Sequence, residues 1–344
     1  MLKDKELKVA IIGCGNIATV HAMCLERITG TRLVAVCDTV LTRAEALAEV
    51  YGVNSYQSYE EMLEKEAIDV VHICTPHYLH AAMSIYCLGK GKYVFLEKPP
   101  IISKQQLLEL GSVPQLDKLG ICFQNRYNPG LQWVRTFLES GKAGKPLGAR
   151  GIVTWNREIN YYQDSDWRGQ VEKEGGGALI NQSIHTLDIL AWLMGKPLKV
   201  SALMGNHHLK NVIEVEDSME AYIEFEFGKV IFYATTAYCV NSAPLIEIAC
   251  ENMTIRLEEP RVTLIHKTGE TEVIPVEKRE TLGKDYWGNG HEACISAYYD
   301  AVRAKRKLPL TLTDVQDTME LMLAMYQSAN TRDCEEIILT QGGS

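Results

Sequence analysis

The chain has 344 residues, 46% of them apolar and 23% charged, with 35 basic against 44 acidic side chains for a formal net charge of −9. That length predicts two domains, the apolar share suffices for two buried cores, and the acidic balance argues against nucleic acid as a partner. No apolar run reaches the ~18–20 residues of a membrane span, and the charged residues 1–6 lack the apolar core of a signal peptide.

The first third alternates short apolar runs with helical patterns. Strands are predicted over 8–12, 33–37, 70–74, 93–96 and 121–124. Helices are predicted from the Gly-rich turn after the first strand to about 28, then over 42–51, 58–66, 79–90 and 103–110. Near-continuous Val/Ile strands separated by helices predict a parallel sheet covered on both faces. From Ala149 onward, strands follow one another. Residues 218–227 alternate, with Ala221, Ile223, Phe225 and Phe227 on one face and Glu220, Tyr222, Glu224 and Glu226 on the other. Period-two alternation marks a half-solvated antiparallel strand. A turn at Gly228-Lys229 leads into a strand over 230–238, with further strands over 245–250, 254–257 and 262–266. Two helices close the chain, over 291–306 and 313–330. The basic Lys305-Arg306-Lys307 reads as a solvated helix end. The fold class is therefore α/β: a doubly wound first domain, then an α+β domain with an open, mostly antiparallel sheet. Such a sheet needs cover on both faces, which predicts a homodimer or homotetramer.

Ten cysteines form no Cys-x-x-Cys motif, and several lie inside apolar runs, as Cys37 and Cys74 do. Free, buried thiols predict a reducing, cytoplasmic compartment.

The first turn reads Gly13-Cys14-Gly15-Asn16-Ile17-Ala18. This is the G-x-G-x-x-G/A fingerprint between a strand and a helix, which cradles a dinucleotide pyrophosphate at the helix N-terminus. Asp38 ends the second strand. A carboxylate there accepts the adenosine ribose hydroxyls and repels a 2′-phosphate, which predicts NAD over NADP despite nearby Arg43. Thr75-Pro76-His77 ends the next buried strand, beside the cofactor crevice. His77 and His80 lack a partner at ligand spacing, and no metal is expected.

Two constellations suit the chemistry. Glu97-Lys98-Pro99-Pro100 follows a strand and directs an amine toward the cofactor; partial burial would bring its pKa down. The Pro suits a tight turn, with a cis bond open to it. Glu174-Gly175-Gly176-Gly177 precedes an apolar helix to about Met194, on which Asn181, His185 and Asp188 form one polar stripe. His185 has the ordinary pKa of a proton-transfer group near neutrality, with Asp188 one turn away to orient it.

On the Gly13–Ala18 turn, Glu97-Lys98-Pro99 and the 175–188 segment, the chain resembles the glucose–fructose oxidoreductase / inositol dehydrogenase / MocA (Gfo/Idh/MocA) family. The resemblance implies an N-terminal Rossmann domain over 1–124, a substrate and oligomerisation domain over 125–310, and a last helix over 311–344 packing back on the first domain. It implies an NAD-dependent oxidoreductase acting on a hydroxyl of a sugar, glycoside or nucleotide-sugar. Lys98 and His185 would flank the reacting carbon, and Asn181 would contact the substrate. The cofactor would meet residues 13–17, Asp38, 75–77, Glu97 and Lys98. Many members carry Asp at the Asn181 position, and an amide takes no proton, which shifts acid–base work to His185 and Lys98. Tyr162, Trp167 and Arg168 in an aromatic, Arg-rich segment, and Arg126, are further candidate substrate contacts. Two alternatives stay open: a glycoside-cleaving enzyme that keeps its NAD and oxidises transiently, and a non-catalytic NAD-binding protein.

Overall fold

The computed structural model describes residues 6–277, 279–282 and 288–337. The described residues divide into two compact units, one within 6–124 and 291–314 and one within 125–290 and 315–337.

The first unit holds β1 (Leu7–Ile12), α1 (Asn16–Arg27), β2 (Thr31–Cys37), α2 (Leu41–Tyr51), β3 (Asn54–Tyr56), α3 (Tyr59–Lys65), β4 (Val70–Ile73), α4 (His80–Gly89), β5 (Tyr93–Glu97), α5 (Lys104–Gly111) and β6 (Leu119–Cys122). The six strands are parallel, in the order β3-β2-β1-β4-β5-β6. This is the doubly wound order, which reverses between β1 and β4 and opens a crevice at the strands' carboxyl ends. β4 and β6 are buried at every residue, as two covered faces require. Two helices start on serine caps: Ser58 Oγ accepts Glu61 N and Ser103 Oγ accepts Gln106 N, each at 3.2 Å.

The second unit contributes α6 (Pro129–Glu139), β7 (Pro146–Thr154), α7 (Ile159–Gln163), α8 (Val171–Glu174) and α9 (Ile184–Met194). It continues with β8 (Pro197–Gly205), β9 (Ser218–Phe225), β10 (Gly228–Thr235), β11 (Leu245–Cys250), β12 (Met253–Glu258), β13 (Arg261–His266) and β14 (Thr271–Ile274). After α10 (His291–Ala304) and α11 (Leu312–Thr331), β15 (Glu335–Glu336) completes a nine-stranded sheet of order β14-β13-β12-β11-β7-β10-β9-β8-β15. It is mixed: β7 and β10 run parallel and every other pair antiparallel. The parallel pair arises because the crossover after β7 carries α7, α8 and α9, and α9 lies against β7.

Three expectations change. The alternation in β9 holds through Phe225, but the hairpin pairs Phe225 with Gly228, so Glu226-Phe227 is the turn and Phe227 is exposed. Gly228, at φ +117°, opens β10. The helix over 291–304 and the segment after it belong to the first unit rather than to the second. Gly120 admits the Tyr298 ring, since a Cβ there would lie 2.5 Å from its Cδ2, and Ile121 N donates to Leu310 O at 2.8 Å. Residues 315–337 belong with the second unit: Ala202 N donates to Ser328 Oγ at 3.0 Å, and β15 pairs with β8.

Candidate active site

Gly13 lies at φ +90°, and a Cβ there would sit 2.6 Å from Cys74 O at the end of β4. Only glycine fits so close an approach. Gly15 is exposed, and a Cβ there would meet nothing within 4 Å. No side chain caps α1 and no acid stands in its first turn, so its positive end suits a pyrophosphate. Asn16 is exposed and Ile17 half-buried on that turn. Asp38 ties the turn down, accepting Cys14 N at 2.9 Å on one oxygen and Val40 N at 2.8 Å on the other. Each oxygen keeps a second lone pair for a ribose hydroxyl. The residues present thus fit a dinucleotide.

At the ends of β4 and β5, His80 accounts for the His77/His80 pair seen in the sequence. Its Nδ1 is 2.7 Å from Pro99 O and its Nε2 2.8 Å from Thr75 O, so the ring lies between two loops; burial lowers its pKa, and a neutral imidazole donates to one of the two carbonyls. Thr75 Oγ1 reaches Met83 Sδ at 3.6 Å; Pro76 precedes a short turn in which His77 is buried. The Lys98–Pro99 bond is cis.

Glu97 was expected at the cofactor, and its carboxylate turns into the core instead. It takes His21 Nε2 at 2.9 Å and Lys98 N at 3.1 Å. Burial opposes its ionisation, but the His21 hydrogen bond, and the field of His21, His291 and Lys98, hold the carboxyl far below the usual range. His21 Nδ1 lies 2.8 Å from His72 Nδ1, and His72 Nε2 is 2.8 Å from Tyr299 Oη. Burial and then His21 push the His72 pKa down, so the ring is neutral. A neutral imidazole donates once and accepts once, which lets His72 link its two neighbours. Ligand atoms of His21, Glu97 and Cys122 lie within 4.8 Å of one another, and the hydrogen bonds above account for the His–Glu pair. Sequence reasoning missed this chain because His21 and His72 sit singly in apolar elements.

In the second unit the glycine run is packed tightly. A Cβ on Gly176 would fall 1.9 Å from Tyr326 Oη, and one on Gly177 2.1 Å from Glu216 O. Buried Glu216 accepts Gly177 N and Leu179 N, each at 2.9 Å, and Tyr326 Oη donates to it at 2.9 Å. The helix then opens with a π-helical turn over Ala178–Ser183 before α9. Such wide turns recur at functional sites.

The polar stripe divides: the π-helical turn holds Asn181, and α9 holds His185 and Asp188. Asn181 and His185 are half-buried, whereas Asp188 is buried. Asp188 was expected to orient His185. Its oxygens instead take Arg126 Nε at 2.8 Å, Arg126 Nη2 at 2.6 Å and Thr318 Oγ1 at 2.8 Å. Arg126, expected as a substrate contact, is itself buried and held by that carboxylate. Tyr162 likewise points inward, into an apolar cluster with Leu209, Ile213 and Val215. Its neighbour Tyr161 faces the polar side: its hydroxyl lies 3.4 Å from Asn181 Nδ2 and 3.1 Å from Gln182 Nε2. Arg168 stacks on Tyr161 at 4.3 Å and approaches Trp167 at 5.4 Å. Arg157 is buried, its Nε donating to Gln182 Oε1 at 2.9 Å.

Glu174 carried no role in the sequence reading. It is fully buried, accepts Gly169 N and Asn181 Nδ2, and burial pushes its carboxyl up to about 7.

Known proteins match over the same two parts. Residues 7–119 match the profile of the Gfo/Idh/MocA oxidoreductase family with an NAD-binding Rossmann fold, and residues 131–256 match that of the Gfo/Idh/MocA C-terminal domain. D-glucoside 3-dehydrogenase of Escherichia coli K12 is 29% identical, with 96% of this chain and 97% of that protein covered. The scyllo-inositol 2-dehydrogenase (NAD(+)) of Bacillus subtilis 168 is 25% identical, covering 96% and 95%. Among solved structures, the WlbA dehydrogenase of Bordetella pertussis, in complex with NADH and UDP-GlcNAcA, superposes with a TM-score of 0.84 at 25% identity, covering 98% of this chain and 100% of that one. Levoglucosan dehydrogenase with NADH has the same fold, with a TM-score of 0.87 at 19% identity over 97% and 100%. The chain belongs to the Gfo/Idh/MocA family of oxidoreductases with an NAD-binding Rossmann fold.

Proposed function

We propose that this protein oxidises a secondary hydroxyl of a sugar or glycoside, or reduces the corresponding ketone, with His185 and Lys98 as its catalytic residues. The observation that carries the reading is the half-buried Asn181–His185 row inside a network of hydroxyl-matching groups: Glu174, Tyr161, Gln182 and Arg168. The end-to-end likeness to a glucoside and an inositol dehydrogenase supports the same substrate class. NAD, when bound, supplies the hydride acceptor. His185 takes the hydroxyl proton. Lys98 donates a hydrogen bond to the oxygen as negative charge grows on it. Asn181 binds a hydroxyl and moves no proton, because an amide is not a base near neutrality. Arg157 is buried and bonded to Gln182, Asn156 and Asn241, which favours an uncharged glycoside over a nucleotide-sugar.

The test is NADH formation from NAD+ with methyl β-D-glucoside, scyllo-inositol and a UDP-linked sugar as probes. Turnover on the glucoside is expected. Binding of NAD with no turnover on any of the three would overturn the reading.

The open face of the second unit's sheet supports a homodimer or homotetramer. Ile231 and Tyr222 are cross-strand partners, 62% and 42% exposed, with Leu203 at 59% on the same face. Beside them, Glu247 holds Arg150 at 2.9 Å and Arg256 at 2.7 Å. A single monomer peak in sedimentation velocity at micromolar concentration would contradict this. Among the described residues no helix is long and apolar enough to cross a membrane. All ten cysteines are thiols, in keeping with a cytoplasmic location.

A further inference from the structure

Asn181 stands beside a buried carboxylate, and that juxtaposition decides which end of its amide meets a ligand. Glu174 Oε1 accepts from Asn181 Nδ2, while Glu174 Oε2 accepts from Gly169 N. The amide nitrogen also faces Tyr161 Oη at 3.4 Å, and Gln182 Nε2 reaches the same oxygen at 3.1 Å. The orientation of Gln182 is fixed independently. Arg157 Nε donates to Gln182 Oε1 at 2.9 Å, and a guanidinium only donates. Gln182 is therefore oriented by a donor-only guanidinium, and Asn181 by a carboxylate that only accepts while it is ionised.

We propose that Glu174 is the positioning residue of the substrate site, holding the Asn181 amide with its nitrogen inward so that its carbonyl oxygen accepts a substrate hydroxyl. The identity of that hydroxyl rests on the sugar reading above; the orientation of the amide does not. This gives a physical reason for an amide rather than an acid at position 181. A carboxylate at 181 would face Glu174 directly, and two acids in contact cannot both ionise.

The arrangement is also a switch. The groups facing Glu174 are Arg168, which favours its ionised form, Glu216, which opposes it, and the hydroxyls of Tyr162 and Tyr326. Burial is the largest influence and brings the carboxyl to about 7. Above that pH the carboxylate holds the amide nitrogen. Below it the protonated carboxyl donates to Asn181 Oδ1, and the amide turns over to offer N–H to the ligand.

The experiment is a pH titration of the full-length protein labelled with ¹⁵N-asparagine, following the side-chain NH₂ signal that Asn181→Ala removes. That signal is expected to move with a midpoint near 7. The step is expected to survive His185→Gln, which removes the neighbouring imidazole, and to vanish in Glu174→Gln. A wild-type signal that stays still, or one that moves equally in Glu174→Gln, overturns the proposal. Should Glu174→Gln not fold, the wild-type and Glu174→Asp titrations decide, since aspartate keeps the charge and the step. With methyl β-D-glucoside as probe, Glu174→Gln should raise KM about tenfold, the loss of one oriented hydrogen bond, with a smaller change in kcat. Absence of turnover on sugars would remove the substrate reading and leave the titration standing. A flat titration in an active enzyme would do the reverse.

Discussion

Arg126 grips Asp188 through two parallel hydrogen bonds of 2.8 and 2.6 Å, both side chains nearly inaccessible to water. The pair joins the segment before α6 to the middle of α9, and Thr318 closes it at 2.8 Å. Removing one partner leaves a buried charge, so Asp188→Ala or Arg126→Ala should cost about 3–5 kcal/mol. Urea unfolding measures this. The double variant Arg126→Met/Asp188→Leu should recover much of the loss. If Asp188→Ala keeps full stability but loses turnover, the carboxylate serves catalysis instead.

Two glycines that look alike in sequence should behave oppositely. A methyl group on Gly177 meets the Glu216 backbone, so Gly177→Ala should destabilise by about 3 kcal/mol. Gly15 has open space around its Cβ position, so Gly15→Ala should keep its melting temperature. With a pyrophosphate against this turn, as the fingerprint implies, that methyl group would stand in its path, and NAD affinity by calorimetry should fall more than about tenfold. Unchanged affinity would move the cofactor off this turn.

Glu97 depends on His21 for its charge. A carboxyl held below its ordinary value contributes stability above the unfolded pKa and loses it as pH falls through the folded one. His21→Leu leaves that buried charge without its ring partner, and should cost about 3–5 kcal/mol at pH 7. The difference should shrink toward pH 4, where the variant's Glu97 takes up a proton. A difference independent of pH would mean that His21 matters only for packing.

Glu259 has the opposite sign. Burial pushes its carboxyl from the usual 4.5 up to about 7, although Leu131 N donates to it at 2.9 Å. Its contribution is complete below the unfolded pKa and is lost as pH rises through 7. Glu259→Gln keeps an acceptor for Leu131 and carries no charge. Its stability relative to wild type should therefore rise between about pH 4.5 and 8, by at most roughly 3 kcal/mol. Parallel stability curves would show that the carboxyl is better solvated than its burial implies.

Much of the first unit was legible because its strands are continuous apolar runs and its turns carry glycine or serine signals. β3 escaped notice because three residues cannot display a period. α6 escaped notice although the sequence carries its signal: Asn128 at the cap and Pro129 at the first helical position. In the candidate site, His185, Asn181 and Lys98 were named from motif and spacing. Their supports were not, because Glu174 and His21 act through contacts with residues distant in sequence or across a π-helical turn. The stripe of Asn181, His185 and Asp188 assumed a regular helix. The wide turn over Ala178–Ser183 takes Asn181 out of that period, while His185 and Asp188 stay one turn apart on α9 and Asp188 is bound to Arg126.

Deuterium transfer from a carbon-deuterated methyl glucoside to NAD+, read by mass spectrometry of the reduced cofactor, tests whether this chain performs sugar oxidation with Lys98 and His185. Label should appear in the reduced cofactor with the wild-type protein and fall by about 100-fold or more in Lys98→Ala, the usual size of a lost oxyanion donor, and in His185→Ala, that of a lost proton-transfer group. Label transfer at the wild-type rate in both variants, or none in the wild type while NAD is bound, would contradict the account.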